Sequence, residues 1–263
     1  MLKIWRLTKS FPLDKFTQRL ALNNVTLSLQ KGEFVTIIGG NGAGKSTLLN
    51  CIAGVHLPDS GRITLDGMDI TFWPEYRRSL YIGRVFQNPL LGTAPDMTIE
   101  ENLAMACAKG KSRGLLPGVT KQEAKFFRDK VADLGLGLEK RMHQKVGLLS
   151  GGERQALTLL MATIVRPRLL LLDEHTSALD PATARRVLEL TRSIISEHQL
   201  TTIMVTHNMK EALELGTRTI MMHEGRIVLD LSGRQRECMT VEKLVSFFTQ
   251  EASIEVVELK NRA

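Results

Sequence analysis

The stretch Gly39-Gly40-Asn41-Gly42-Ala43-Gly44-Lys45-Ser46 fits the pattern G-x-x-x-x-G-K-[ST]. It follows Phe34–Ile38, a nearly continuous apolar run that reads as a strand, and it leads into a helix expected to open at Lys45 and close at Gly54. Strand, glycine-rich loop and helix in that order are the context in which this pattern binds phosphate. Glycines let the backbone curl so that its N–H groups point inward at anionic oxygens. The helix N-terminus adds partial positive charge. Lys45 would reach the β- and γ-phosphates of a nucleotide, and the Ser46 hydroxyl would ligate Mg²⁺. The loop by itself says nucleotide binder; it does not say which kind.

Working outward, Ile63–Leu65, Leu169–Leu172 and Thr202–Val205 also read as short apolar strands, the last two continuous enough to be covered on both faces. Helices alternate with them. One begins near Gly152 and stops before Pro167; another has Asp180 as N-cap and Pro181 at its first position, and runs to about Glu197. Such alternation predicts an α/β fold, a P-loop NTPase core with a mainly parallel sheet. Thr219–Met222 and Arg226–Leu231 form a hairpin around His223-Glu224-Gly225, an antiparallel β portion. From Pro89 to Leu148 no strand is evident. Thr98 with Glu101, and Thr120 with Glu123, are capping boxes that open helices toward Ala108 and Leu134, with a loop over Lys109–Gly118. The expected organisation is therefore a nucleotide-binding core over 1–88 and 149–240, a helical subdomain inserted over 89–148, and a C-terminal helix (Val241–Gln250) and tail over 241–263.

Composition sets the outer limits. Of 263 residues, 43% are hydrophobic and 24% charged, an ordinary globular balance. The net charge of +7 suits an anionic ligand but is too mild to imply nucleic acid. Cys51, Cys107 and Cys238 are far apart, form no metal-binding cluster, and fit a reducing compartment. The start, Met1-Leu2-Lys3-Ile4-Trp5-Arg6, lacks the apolar stretch of a signal peptide. Gln155–Val165 is uncharged but too short to cross a bilayer. Work at a membrane would require another chain to supply the spans.

Leu169-Leu170-Leu171-Leu172-Asp173-Glu174 ends in two acids, where parallel sheets present their ligand sites. Asp173 would hold Mg²⁺, directly or through water, and Glu174 would polarise an attacking water as general base. Without the glycine loop, the same two acids would read equally well as a solvated turn. A second anion site opens the next helix upstream, in Leu149-Ser150-Gly151-Gly152-Glu153-Arg154-Gln155. One nucleotide rarely needs two such sites on one chain, and lending the second to a partner's nucleotide is the economical solution.

That segment resembles the signature motif of ATP-binding cassette (ABC) ATPases, with Glu153 where glutamine is frequent. Gln87, in Val85-Phe86-Gln87-Asn88-Pro89, resembles the Q-loop glutamine; Ser177-Ala178-Leu179-Asp180 resembles the D-loop; His207, in Val205-Thr206-His207-Asn208, resembles the switch histidine. The resemblance covers about Leu2 to Leu231. It implies the ABC ATPase fold, ATP and Mg²⁺ as ligands, and a head-to-tail pair of chains sandwiching two ATP molecules. Each ATP would lie between one loop (Gly39 to Ser46, with Thr47) and the opposite Ser150, Gly151 and Gly152. Gln87 would contact Mg²⁺ beside Ser46 and Asp173 and link it to motion of the helical insert; His207 would contact the γ-phosphate and act with Glu174 and Lys45 in hydrolysis. The family usually stacks an aromatic residue on adenine near the N-terminus. Phe11 stands there, with Phe16 as a competitor. His175 stands where the family usually has proline.

The resemblance implies partners as well: a second copy of the ATPase, integral membrane permease subunits and an extracytoplasmic substrate-binding protein, with the chain peripheral at the cytoplasmic face of the inner membrane and no nucleic acid. About 100 residues separate Lys45 from Ser150 with no heptad run, unlike repair-type relatives, and there is one cassette, unlike translation-type ones. An exporter motor and a non-transport ABC ATPase are the alternatives. The phrase from Asp173 to Asp180, with Met204 to Met209, resembles a branch of bacterial uptake ATPases, some of which are associated with aromatic amino acids.

Overall fold

The structure is a computed structural model that describes residues 1–14, 17–110 and 118–247. From the N-terminus, β1 (Leu2–Pro12) and β2 (Gln18–Leu29) form a ribbon, and β3 (Phe34–Ile38) leads through the glycine loop into α1 (Lys45–Ala53). β4 (Ser60–Leu65), β5 (Met68–Asp69), α2 (Glu75–Arg78) and β6 (Ile82–Val85) follow. Next come α3 (Ile99–Cys107), α4 (Lys121–Ala132) and α5 (Gly151–Thr163), then β7 (Leu169–Asp173), α6 (Pro181–His198) and β8 (Thr201–Val205). After these lie α7 (Met209–Leu215), β9 (Arg218–His223), β10 (Arg226–Ser232) and α8 (Gly233–Glu237). The expected C-terminal helix is present over 241–247; its last three residues, like Phe16 and positions 111–117 of the expected loop, lie outside the described residues.

Two sheets result. One has the order β10-β9-β3-β8-β7-β6, the other β2-β1-β4-β5. In the first, β3 runs parallel to β8 and β9, and β7 runs parallel to β6 and β8. Only β10 is antiparallel there, turning back from β9 through Glu224 and Gly225, both at positive φ, as a two-residue hairpin requires. The second sheet is antiparallel throughout. Between the sheets lies α1. Its Leu48, Leu49 and Ile52 pack with Val35 and Ile37 of β3 and with Ile4 and Ile63 of the antiparallel sheet, all buried. Burying such side chains contributes roughly 1.5–3 kcal/mol each before the entropy of ordering them is counted. The buried Arg78 guanidinium caps the far end of α1, donating to the carbonyls of Cys51 and Ile52 at 2.7 and 2.9 Å.

Between Pro89 and Leu148 the described residues hold α3, α4 and short 3₁₀ turns, with one isolated bridge, Thr98 to Lys145. Both expected capping boxes form. α4 stops at Ala132, short of Leu134, because Asp133 caps it and Gly135 turns out at φ 65°. These helices have a core of their own, with Leu103, Phe127 and Val131, which continues into Leu157 and Leu160 of α5. α5 therefore serves both the helical layer and the sheet, where Leu159 packs beside Leu170 and Leu172. The carboxyl ends of β3, β7 and β8 meet at one edge, directly before the N-terminus of α1.

Candidate functional site

The glycine loop takes its shape from the positions that lack a side chain. Gly39, Gly42 and Gly44 have φ of 153°, 80° and 97°. A β-carbon at Gly39 would collide with the carbonyl of Met222 on β9, and one at Gly44 would lie 2.5 Å from the carbonyl of Ala21 on β2. The loop is thus pressed between both sheets and cannot accept larger residues there. Its crest folds over its own lysine: Lys45 Nζ donates to the carbonyls of Gly39 and Gly40, both at 2.9 Å. Lys45 is 5% exposed, and burial lowers its pKa, opposed by the carboxylates of Glu174 and Asp173. The ammonium is thus held by two neutral carbonyls, with the two acids acting on it by charge. It is a ready counter-charge for an anion entering the loop.

The acids come from β7. The parallel pairing sets Asp173 opposite Val205, so Glu174 falls level with the residues that follow β8. Glu174 N–H donates to Val205 O at 2.9 Å, and Glu174 sits at φ 45°, an unusual conformation for a residue with a side chain. That turn brings its carboxylate within 2.5 Å of His207 Nε2, with Glu174 8% and His207 48% exposed. Asp173 lies 3.5 Å from Arg84 Nη2; burial raises its pKa, against the pull of the Arg84 charge. Gln87 Nε2 donates to Ser177 Oγ at 3.3 Å, and Ser177 Oγ donates to the Glu174 carbonyl at 2.9 Å. One hydroxyl therefore joins Gln87 to the turn that carries Glu174.

A cavity of about 530 Å³ collects most of the expected residues: Phe11, Asn41, Gly42, Ala43, Gly44, Lys45, Ser46, Thr47, Gln87, Glu174 and His207. Its size is in the range of small-molecule sites. Phe11 packs edge-on against His56, ring centroids 5.0 Å apart, with Lys9 Nζ 5.5 Å from its own ring centroid. Gly39 and Gly40 are not among its lining residues but accept from Lys45, which is. Ser46 and Gln87 line the cavity, while Asp173, next to Glu174, is not among its lining residues. The Ser46 hydroxyl, the Gln87 amide oxygen and the Asp173 carboxylate are all hard oxygen donors of the chemical type Mg²⁺ takes. Ser150, Gly151 and Gly152 are not among the residues lining this cavity. They open α5, with Ser150 and Gly151 exposed. There Ser150 Oγ accepts from Glu153 N, and the Glu153 carboxylate accepts from Ser150 N–H at 2.8 Å and pairs with Arg141. Glu153, the departure from glutamine, thus closes a capping box at this helix start.

His175, the second departure, is buried and bonded to Thr191 Oγ1 of α6 at 3.1 Å; burial lowers its pKa to about 4, so it is neutral near pH 7. Two basic residues at the site escaped the sequence reading. Arg84 stands on β6, where it also donates to Asn50 Oδ1 at 2.7 Å. Arg19 stands on β2 and lines the cavity. Both positions depend on strands that were not foreseen, so no local pattern marked them.

Comparison with known proteins agrees with this geometry. The family model described as ABC transporter matches residues 22–177. A tyrosine transport ATP-binding protein of Clostridioides difficile is 46% identical over 94% of this chain and 98% of its own length. The spermidine/putrescine import ATP-binding protein PotA of Protochlamydia amoebophila is 37% identical over 81% of this chain, which spans only 54% of that protein. Among solved structures, a dimeric post-hydrolysis state of the ATP-binding cassette MJ0796 bound to ADP and Pi superposes with a TM-score of 0.75 at 29% identity, covering 88% of this chain and 98% of that one. The chain belongs to the ABC transporter family, as an ATP-binding subunit that hydrolyses ATP to power transport.

Proposed function

We propose that this chain is the motor of an uptake system, working as a head-to-tail pair beneath separate permease subunits, with amino acids as its cargo class. The observation that carries the paired arrangement is the separation of the two anion sites. One cavity gathers the glycine loop, Gln87, Glu174 and His207, while Ser150 and Gly151 lie exposed at another helix start, free to face a second copy. The dimeric cassette among the structural relatives supports the pairing, and the import and tyrosine-transport names of the sequence relatives support uptake and cargo. In such a system the chain would be peripheral at the cytoplasmic face of the inner membrane, and an extracytoplasmic binding protein would deliver the cargo. No helix among the described residues is long and apolar enough to cross a membrane.

In this reading the adenine stacks on Phe11, and backbone N–H groups from Gly39 to Thr47 hold the phosphates. Lys45 leaves the carbonyls of Gly39 and Gly40 for the β- and γ-phosphates. Ser46, Asp173 and Gln87 would hold Mg²⁺, which when bound neutralises charge on the phosphate oxygens. Glu174 takes a proton from the attacking water as its oxygen bonds to the γ-phosphorus and the bond to the ADP oxygen breaks. His207 orients the Glu174 carboxylate and contacts the γ-phosphate. The Ser150, Gly151 and Gly152 of the second copy close over the same phosphate. Gln87 passes the change on, through its link to Ser177 and through the segment that follows it.

That segment should touch the membrane subunits. Pro89–Gly92 is a 3₁₀ turn with Leu91 71% exposed, beside a cavity of about 300 Å³ between the core and α3, lined by Phe86, Met105 and Met161. A photocrosslinker at Leu91 in native membranes is expected to capture an integral membrane protein. If crosslinks between Gln87 and Met97 reach no membrane subunit in the assembled complex, the transporter reading loses its mechanical basis.

A further inference from the structure

Arg19 has no assigned role, yet it is placed to meet the ligand. An arginine on the solvent side of an antiparallel ribbon would ordinarily extend into water. Here β2 pairs with β1 so that Arg19 is directly opposite Phe11. The guanidinium turns toward the glycine loop and donates to Gly42 O at 3.5 Å, which is its one hydrogen bond among the described residues. A β-carbon at Gly42 would collide with it. Gly42, at φ 80°, makes the turn, and its lack of a side chain lets the guanidinium lie against the crest. Arg19 is exposed, but the surface it presents is the wall of the cavity shared with Phe11, Lys45 and Ser46.

The geometry points to Arg19 as a nucleotide-binding residue that grips the ribose-proximal end of the phosphate chain. The inference rests on the nucleotide reading of this cavity. If the base lies on Phe11 and the terminal phosphates lie at Lys45, the part of the nucleotide between them is the ribose and α-phosphate. Arg19 stands between Phe11 and the crest. Its single long hydrogen bond leaves most of its five N–H donors for a ligand, and a planar guanidinium can hold two phosphate oxygens side by side. Lysine would keep the charge but lose that fork. Since ADP and ATP share the α-phosphate, Arg19 would hold both equally, whereas Lys45 is aimed further along the chain.

The test is calorimetric titration of the full chain, and of its Arg19→Ala and Arg19→Lys variants, with ADP and with ATP. Arg19→Ala is expected to weaken both nucleotides by about the same factor, on the order of tenfold, the scale of a hydrogen bond to a charged group at a partly open site. Arg19→Lys should fall between it and the unaltered protein. Melting temperatures should barely move, because the side chain is exposed and holds only one long hydrogen bond among the described residues. Unaltered affinity in Arg19→Ala, or a loss confined to ATP, would overturn the assignment while leaving the nucleotide site intact. Failure of the unaltered chain to bind either nucleotide would instead overturn the nucleotide reading on which it rests.

Discussion

Replacing Glu174 by glutamine is expected to lower ATP turnover by about 10²–10⁴-fold while nucleotide still binds. The amide keeps the size of the side chain and can still bond to His207, 2.5 Å away in the native pair. It cannot take a proton from water. The residues proposed to hold the nucleotide and its metal, Lys45, Ser46 and Asp173, are untouched. The strained backbone at Glu174, φ 45°, is fixed by its N–H bond to Val205 and by Ser177 at its carbonyl, neither of which involves the carboxylate. The loss should therefore appear in kcat rather than in KM. A near-normal rate in a folded Glu174→Gln protein would remove Glu174 as the base.

Lys45→Ala should be comparably severe and differ in kind. Its ammonium is the buried cation beneath the loop, held by two carbonyls and faced by two carboxylates. Removing it takes away a preorganised positive charge where the phosphates carry the most negative charge. Turnover is expected to fall by at least about 10²–10³-fold, the scale for one electrostatic stabiliser of a transition state. Unlike Glu174→Gln, this variant should also bind ATP more weakly. Equilibrium binding and steady-state rates, with circular dichroism to confirm folding, separate the two patterns. Unchanged affinity and turnover would reject the assignment of the loop.

What could be read in advance depended on how local the cause was. β3, β7 and β8 were legible because strands covered on both faces are nearly continuous apolar runs, and the end of β3 is marked by glycine and that of β7 by acids. The helix caps at Thr98, Thr120 and Asp180 are one-turn chemistry and form as the residues imply. β1 and β2 were not legible as strands. Their register shifts at Leu7 and Lys9, so apolar and polar residues do not alternate regularly along them. β6 is four residues long and includes Gly83 and Arg84, which interrupt any apolar run. Gly83 is needed because the carbonyl of Ala162 on α5 comes too close for a side chain, a fact of packing invisible in the sequence.

The same distinction runs through the site. The glycine loop is a local object and could be derived from its residues. The meeting of Glu174 with His207 depends on the pairing of β7 with β8, and the sequence suggested it only through the order of motifs. Arg19 and Arg84 reach the cavity and Asp173 by strand pairing alone. His175 shows the converse. Its departure from proline had no derivable meaning in sequence, and the structure gives it one, a buried neutral imidazole tying the turn after Glu174 to Thr191 of α6.

Two copies of this chain are proposed to complete each other's nucleotide sites, and the size of the Glu174→Gln protein by analytical ultracentrifugation with Mg-ATP tests this most directly. With hydrolysis blocked, ATP should keep bridging one chain's Lys45 to the other's Ser150, and a dimer should accumulate as protein concentration rises. Adding Ser150→Arg should return the protein to monomer, because a bulky side chain would fill the second phosphate site. A Glu174→Gln protein that turns over slowly yet stays monomeric at every concentration, even together with its membrane partner, would contradict the two-site sandwich.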